Sequence, residues 1–269
     1  MLTFPTAALL QAWERGHDAS PGRRGLILLV LAHPDVPVAV LESWSVGQRD
    51  AALLGLFERL FGGRLAAQAE CPHCSAALQM DIPVAAVSAP VPELTSNRFV
   101  LEHAGYRLTY RLPTAGDLAA LADPASVSGD DARSKWLLQQ CLLGVTERDD
   151  AGSRDSDGSD PRQPEPAGPV SIQDIPGEVI GALEASIAST ASSLDPLAEI
   201  ELKLDCPECA FCWQSPFDIV SFLWSELDAW AARMLREIHI LASHYGWSEA
   251  DIIALSPRRR LYYRGLIGI

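Results

Sequence analysis

Two Cys-Pro-x-Cys segments, Cys71-Pro-His-Cys74 and Cys206-Pro-Glu-Cys209, constrain this chain more than any other feature, because they lie well over a hundred residues apart. Their surroundings echo each other. ECPHCSAALQMDIPV and DCPECAFCWQSPFDIV share the knuckle, a following glutamine and an Asp-Ile pair. Each reads as a tight turn leading into an extended segment, with proline pre-setting the backbone of the turn. Two such turns supply four thiolates, the ligand set of a closed, tetrahedral structural zinc site. The spacing therefore predicts one Zn2+ held by Cys71, Cys74, Cys206 and Cys209, in a small β zinc ribbon that joins distant parts of the chain. The residues between the knuckles would then be an insertion. Cys212 extends the second knuckle to Cys-x-x-Cys-x-x-Cys and could replace Cys209 as ligand; the simpler expectation is a buried neighbour. Cys141 falls on an apolar helix side and reads as core.

Cys-Pro-His-Cys is also a catalytic motif of thiol oxidoreductases. That chemistry needs a strand before the first cysteine and a helix starting at it, whose N-terminus lowers the thiol pKa. Residues 62–70 do not read as a buried strand, and the residues after Cys74 read as extended and run into Pro83. The thiol-disulfide oxidoreductase reading stands as an alternative without its structural context.

Hydrophobic periodicity places helices over residues 6–16, 23–32 and 47–61, the last stopped by Gly62-Gly63. Residues 77–84 suit a strand, and 98–112 a hairpin turning at Ala104-Gly105. A helix is expected near Asp117, and another over 135–145. Residues 147–168 contain almost no apolar side chain and read as a disordered acidic linker. A helix over 175–186 and a strand over 198–205 lead into the second knuckle. A long helix follows from Phe217 and breaks at His244-Tyr-Gly-Trp247. Ser248 and Ser256-Pro257 then mark two further helix starts. The expected fold class is α+β, mainly helical with a small β zinc ribbon. The expected regions are 1–68 helical, 69–112 first knuckle and hairpin, 113–147 helical insertion, 148–169 linker, 170–218 helix, strand and second knuckle, and 219–269 C-terminal helical region.

The composition narrows the function classes. A net charge of −14 over 269 residues disfavours nucleic acid, where each phosphate contact needs a cation, and anionic lipid likewise. The longest apolar run is far too short to cross a bilayer, and the N-terminal stretch lacks a basic leader. A soluble cytoplasmic protein without membrane partners is expected, in a compartment where Cys-x-x-Cys pairs serve metals or catalysis. No glycine-rich phosphate loop, Gly-x-Ser-x-Gly or His-Glu-x-x-His occurs. His239 and His244 stand five apart, off the spacing of paired helix ligands. Four cysteines leave no open zinc position, so no enzyme is expected and no catalytic residue is assigned. Arg258-Arg-Arg260, with Tyr262, Tyr263 and Arg264, reads first as a solvated helix face, and Trp224 and Trp230 read as core.

Three stretches together resemble the baseplate hub assembly proteins of contractile-tailed phages and phage-like contractile injection systems. They are GQRDAALLGLFERLFG followed by AECPHCSAAL, then YRLPTAGDLAAL with SKWLLQQCLL, and finally LASHYGWSEADIIALSPRRRLYY. They span most of the chain in the family's order. The resemblance implies an assembly role, with baseplate hub or wedge proteins as partners. The second reading from the residues is a zinc-ribbon adaptor binding other proteins or nucleic acid.

Overall fold

The computed structural model describes residues 4–90, 97–121, 129–147 and 172–268. Four helices open the chain: α1 (Thr6–Gly16), α2 (Pro21–Ala32), the short α3 (Val38–Glu42) and α4 (Val46–Phe61). The start of α4 is fixed by a reciprocal cap. Ser45 Oγ accepts from the Gln48 amide while the Gln48 side chain accepts from the Ser45 amide, so two otherwise orphaned donors are satisfied. The helix stops at Gly62, whose φ of 98° suits a residue without a Cβ.

Strands β1 (Arg64–Glu70) and β2 (Ala77–Pro83) form an antiparallel hairpin, and the short α5 (Val84–Val87) follows. Residues 64–70 thus form a strand that was not expected in the 1–68 helical region. Its inward positions are Leu65, Ala67 and Ala69, of which only Leu65 is buried, so the apolar alternation in its sequence is too weak to mark a strand. Next come β3 (Phe99–His103), β4 (Tyr106–Tyr110), α6 (Ala115–Leu121), α7 (Asp130–Cys141) and β5 (Leu142–Glu147). The expected helix over 135–145 therefore ends at Cys141, and the rest of that stretch pairs with β4 as a third strand. Cross-strand pairing overrides a local helical pattern there. The expected linker lies, beyond Glu147, outside the described residues.

The chain continues with α8 (Gly177–Leu194), the hairpin β6 (Glu201–Asp205) and β7 (Cys212–Pro216), and the long α9 (Ile219–Tyr245). Asp218 caps α9 by accepting from the Val220 amide. Gly246, in the left-handed region, closes it. Last come α10 (Glu249–Ala254) and α11 (Pro257–Leu266), capped by Ser248 and Ser256. The architecture is mixed α/β and mainly helical, with three small antiparallel sheets among the described residues.

Among the described residues, three apolar clusters hold these elements. The largest joins Leu28 and Leu29 of α2, Leu53, Leu54 and Phe57 of α4, Leu65 and Val84 beside the first hairpin, Ile200 before the second, and Leu223 and Leu227 of α9. Each fully buried leucine there contributes about 2 kcal/mol. A second cluster packs α8, through Val179 and Leu183, on the β3-β4-β5 sheet. A third joins Leu10 to the distal half of α9 and to Ile252. Trp224 is buried in the first cluster, and Trp230 is partly buried against the first and third. Residues within 4–89 and 197–230, on either side of the β3-β4-β5 sheet in sequence, thus build the largest cluster together with Ala115, and both hairpins stand on it.

Candidate metal centre

Each cysteine pair sits at the tip of a hairpin. β1 ends at Glu70, immediately before Cys71, and β6 ends at Asp205, immediately before Cys206. The two turns repeat each other bond for bond. The Cys71 amide donates to the Ala76 carbonyl and the Ser75 amide to the Cys71 carbonyl, both at 2.9 Å. The Cys206 amide donates to the Phe211 carbonyl and the Ala210 amide to the Cys206 carbonyl, again at 2.9 Å. The residue after each second cysteine takes a left-handed backbone, Ser75 at φ 57° and Ala210 at φ 56°. Such a conformation is unfavourable for a residue with a Cβ. Both turns share this conformation, and in each the two cysteines contribute their sulfurs to one cluster.

The knuckles then meet. Cys71 Sγ lies 3.7 Å from Cys209 Sγ, and Cys74 Sγ lies 3.6 Å from Cys206 Sγ. All four sulfurs fall within 4.8 Å of one another. A tetrahedral ion with metal–sulfur bonds of about 2.3 Å has sulfurs about 3.8 Å apart, so these residues fit a single tetrahedral ion. No disulfide links any of the six cysteines. Cys71 and Cys206 are buried, Cys209 is half-buried and Cys74 is exposed. The first cysteine of each knuckle thus faces inward, and the second faces the surface.

Crowding of the thiols has an electrostatic consequence. Desolvation alone would raise Cys71, but hydrogen bonds from the Cys74 and His73 amides and from the neighbouring thiols bring it down to about 7. At Cys74 the Ala76 amide pulls downward; the thiols of Cys209, Cys206 and Cys71, with desolvation, outweigh it and push the group up to about 12. One thiolate forms readily, and further ones are opposed by their neighbours. A bound cation removes that opposition.

Cys212 does not join the cluster. It opens β7, the position that Ala77 holds in β2, so its side chain leaves the turn for solvent. It is exposed, 3.6 Å from the Ala210 carbonyl, and the Asp205 carboxylate beside it raises its thiol. The expected buried neighbour is thus an exposed thiol. Cys141 is buried as expected, and burial pushes it up to about 12.

His73 is exposed, as a turn residue should be. It stacks on Phe211 of the other knuckle, with ring centres 5.4 Å apart and planes 15° apart, and Phe211 stacks in turn near Trp213 at 6.3 Å. The echo between the two segments could have found this contact, since Phe211 stands where the first knuckle has Ala76.

Arg260 is buried. Its guanidinium reaches Glu237 at 3.3 Å and donates to the Leu255 carbonyl at 2.7 Å. The arginine run is therefore a solvated face only at Arg258 and Arg259; Arg260 anchors α11 to α9. Tyr263 reinforces that anchor by packing edge-on against Tyr245 and Trp247.

Two further polar sites escaped the sequence reading. Asp195 is buried and accepts from Ser45 Oγ at 2.7 Å and from the Gly47 amide at 2.9 Å. It ties the residues before the second hairpin to the start of α4, and Gly47 leaves no Cβ in the way. Asp117 receives both Nη atoms of Arg111 and the Thr114 amide. Among the described residues no helix is long and apolar enough to cross a membrane. Comparison with protein-family models, curated proteins and solved structures finds no match for the chain.

Proposed function

We propose that this chain is a non-enzymatic zinc protein that acts as an assembly factor or minor structural component of the baseplate of a phage-like contractile tail or injection system. The observation that carries the zinc reading is the convergence of Cys71, Cys74, Cys206 and Cys209 within 4.8 Å. A tetrathiolate ion has no open position for water or substrate. Its role would be to fasten two hairpins whose sequences lie on either side of the β3-β4-β5 unit. The baseplate role rests on the resemblance of the three stretches, with hub or wedge proteins as the partners it implies.

Thiol–disulfide exchange is the weaker reading. Cys71 and Cys74 lie in a turn between two strands, and no helix begins at the first cysteine to activate it. The zinc-ribbon adaptor is weakened by the −14 charge where its partner is nucleic acid. Affinity purification of the tagged chain from cells that express a contractile particle tests the proposal. Baseplate proteins should come with it. Recovery of nucleic acid in their place would favour the adaptor.

A further inference from the structure

Between the two hairpins lies a groove of about 750 Å³, bounded by β2 on one side and β6 on the other. Its lining includes neighbouring residues from both faces of each strand. Met80, Asp81 and Ile82 come from β2, and Glu201 through Asp205 from β6. Residues of opposite faces line one space when that space lies along a strand's edge, where its backbone groups project. Each hairpin is a two-stranded sheet, so among the described residues neither β2 nor β6 has a second strand on its outer edge. β2 leaves the cysteine cluster and β6 approaches it, so an added strand would run parallel to one and antiparallel to the other.

The groove has a definite chemistry. Met80, Ile82 and Leu202 are half-buried and Leu204 is buried, which gives apolar contacts at alternate positions. The exposed lining carries Asp81, Glu199, Glu201 and Asp205 against Lys203 alone. Asp81 is engaged by Arg64 at 2.6 Å. Three carboxylates face one ammonium after that pair is set aside.

We infer that this groove receives an extended segment of a partner protein in which basic residues alternate with apolar ones. Backbone hydrogen bonds to the open edges give such a segment its affinity, and alternate side chains meeting the apolar floor and acidic rim give it specificity. An exposed edge without charged or proline protection invites unwanted pairing; the acidic rim admits a basic strand and repels another acidic one. The inference rests on the reading of the chain as an interaction protein and adds the chemistry of one partner segment.

The test uses the full zinc-loaded chain and three short acetylated peptides. One alternates lysine with valine, the second has the same sequence with alternate amides N-methylated, and the third replaces lysine with glutamate. The first should bind and slow amide exchange in β2 and β6. The methylated peptide should bind at least about tenfold more weakly at unchanged charge, since it cannot complete the edge. The acidic one should not bind. A Glu199→Lys, Glu201→Lys variant, changed only at exposed positions, should lose about tenfold for the first peptide while keeping its metal. Equal binding of the first two peptides would overturn the inference, because charge alone would explain it. So would absence of binding, or slowed exchange in β2 and β6 from self-association of the free protein. Metal content of the same samples keeps the readings apart: one zinc without peptide binding removes the groove and leaves the metal centre.

Discussion

Cys71 Sγ and Cys209 Sγ stand 3.7 Å apart although 138 positions separate them in sequence. Contact over such a distance closes a long loop, which is entropically unfavourable. The large apolar cluster beneath the hairpins supplies part of the compensation, and metal binding would supply more, because a site absent from the unfolded chain couples binding to folding. If the two knuckles share one ion, Cys71→Ser and Cys206→Ser damage the same object. The double variant should then lose little more stability than either single one. Thermal unfolding of the four proteins measures this, and additive losses would indicate two separate sites.

Ser75 and Ala210 provide a test of the turns themselves. Both hold positive φ with a Cβ, at 57° and 56°, a conformation that glycine adopts without that cost. Ser75→Gly and Ala210→Gly should each preserve metal binding and leave stability unchanged or raised by up to about 1 kcal/mol. Substitution by valine should weaken metal retention, since a β-branched residue is a severe outlier there. Competition with a chromogenic chelator reads the difference.

Cys212 should be dispensable for the metal. It is exposed and outside the sulfur cluster, so Cys212→Ser should keep full metal occupancy. In the metal-loaded protein, alkylation should label Cys212 first among the six cysteines, because the ligands are bound and Cys141 is buried. Loss of metal on substitution would make Cys212 a ligand.

The Arg111–Asp117 pair predicts a pH dependence. Burial alone would raise Asp117, but the Arg111 hydrogen bonds and the Thr114 amide outweigh it and hold its carboxyl below the ordinary range. A group with a lowered folded value stabilises above its unfolded pKa, and that contribution disappears as pH falls through the folded value. Asp117→Asn should cost about 3 kcal/mol near neutral pH, because it leaves a partly buried guanidinium without its counter-charge. The gap between wild type and variant should close as the pH is lowered below about 4, the unfolded carboxylate value. Chemical denaturation across that range gives the answer.

The C-terminal helix separates anchoring from display. Arg260 is buried against α9, whereas Tyr262 is 69% and Leu261 65% exposed. Arg260→Ala should destabilise, because it strips Glu237 and the Leu255 carbonyl of a charged donor. Tyr262→Ala should leave stability within about 0.5 kcal/mol of wild type. Differential scanning calorimetry distinguishes the two.

Much of this architecture was written in short-range patterns. The cap at Ser248, the proline start of α11 at Pro257 and the glycine stops at Gly62 and Gly246 are local devices, legible from a few residues. The cysteine cluster was legible for a different reason: two copies of a short turn repeat the same residue types, and thiolates are the ligands that soft metal ions favour. What escaped depends on tertiary contact. β1 turns one leucine and two alanines inward, so its alternation is faint, and β5 continues a helical pattern until pairing with β4 takes over. Arg260 looks like any surface arginine until Glu237 arrives from a helix earlier in the chain. Asp195 likewise gives no hint that it reaches back to Ser45.

Native mass spectrometry of the purified chain, with elemental analysis and thiol counting on the same sample, tests the central claim. The account predicts one zinc per chain, with Cys71, Cys74, Cys206 and Cys209 protected from alkylation until a chelator removes the ion. Removing the ion should also unfold the paired hairpins. A metal-free folded chain with a Cys71–Cys74 disulfide, or two ions bound independently at the two knuckles, would contradict it.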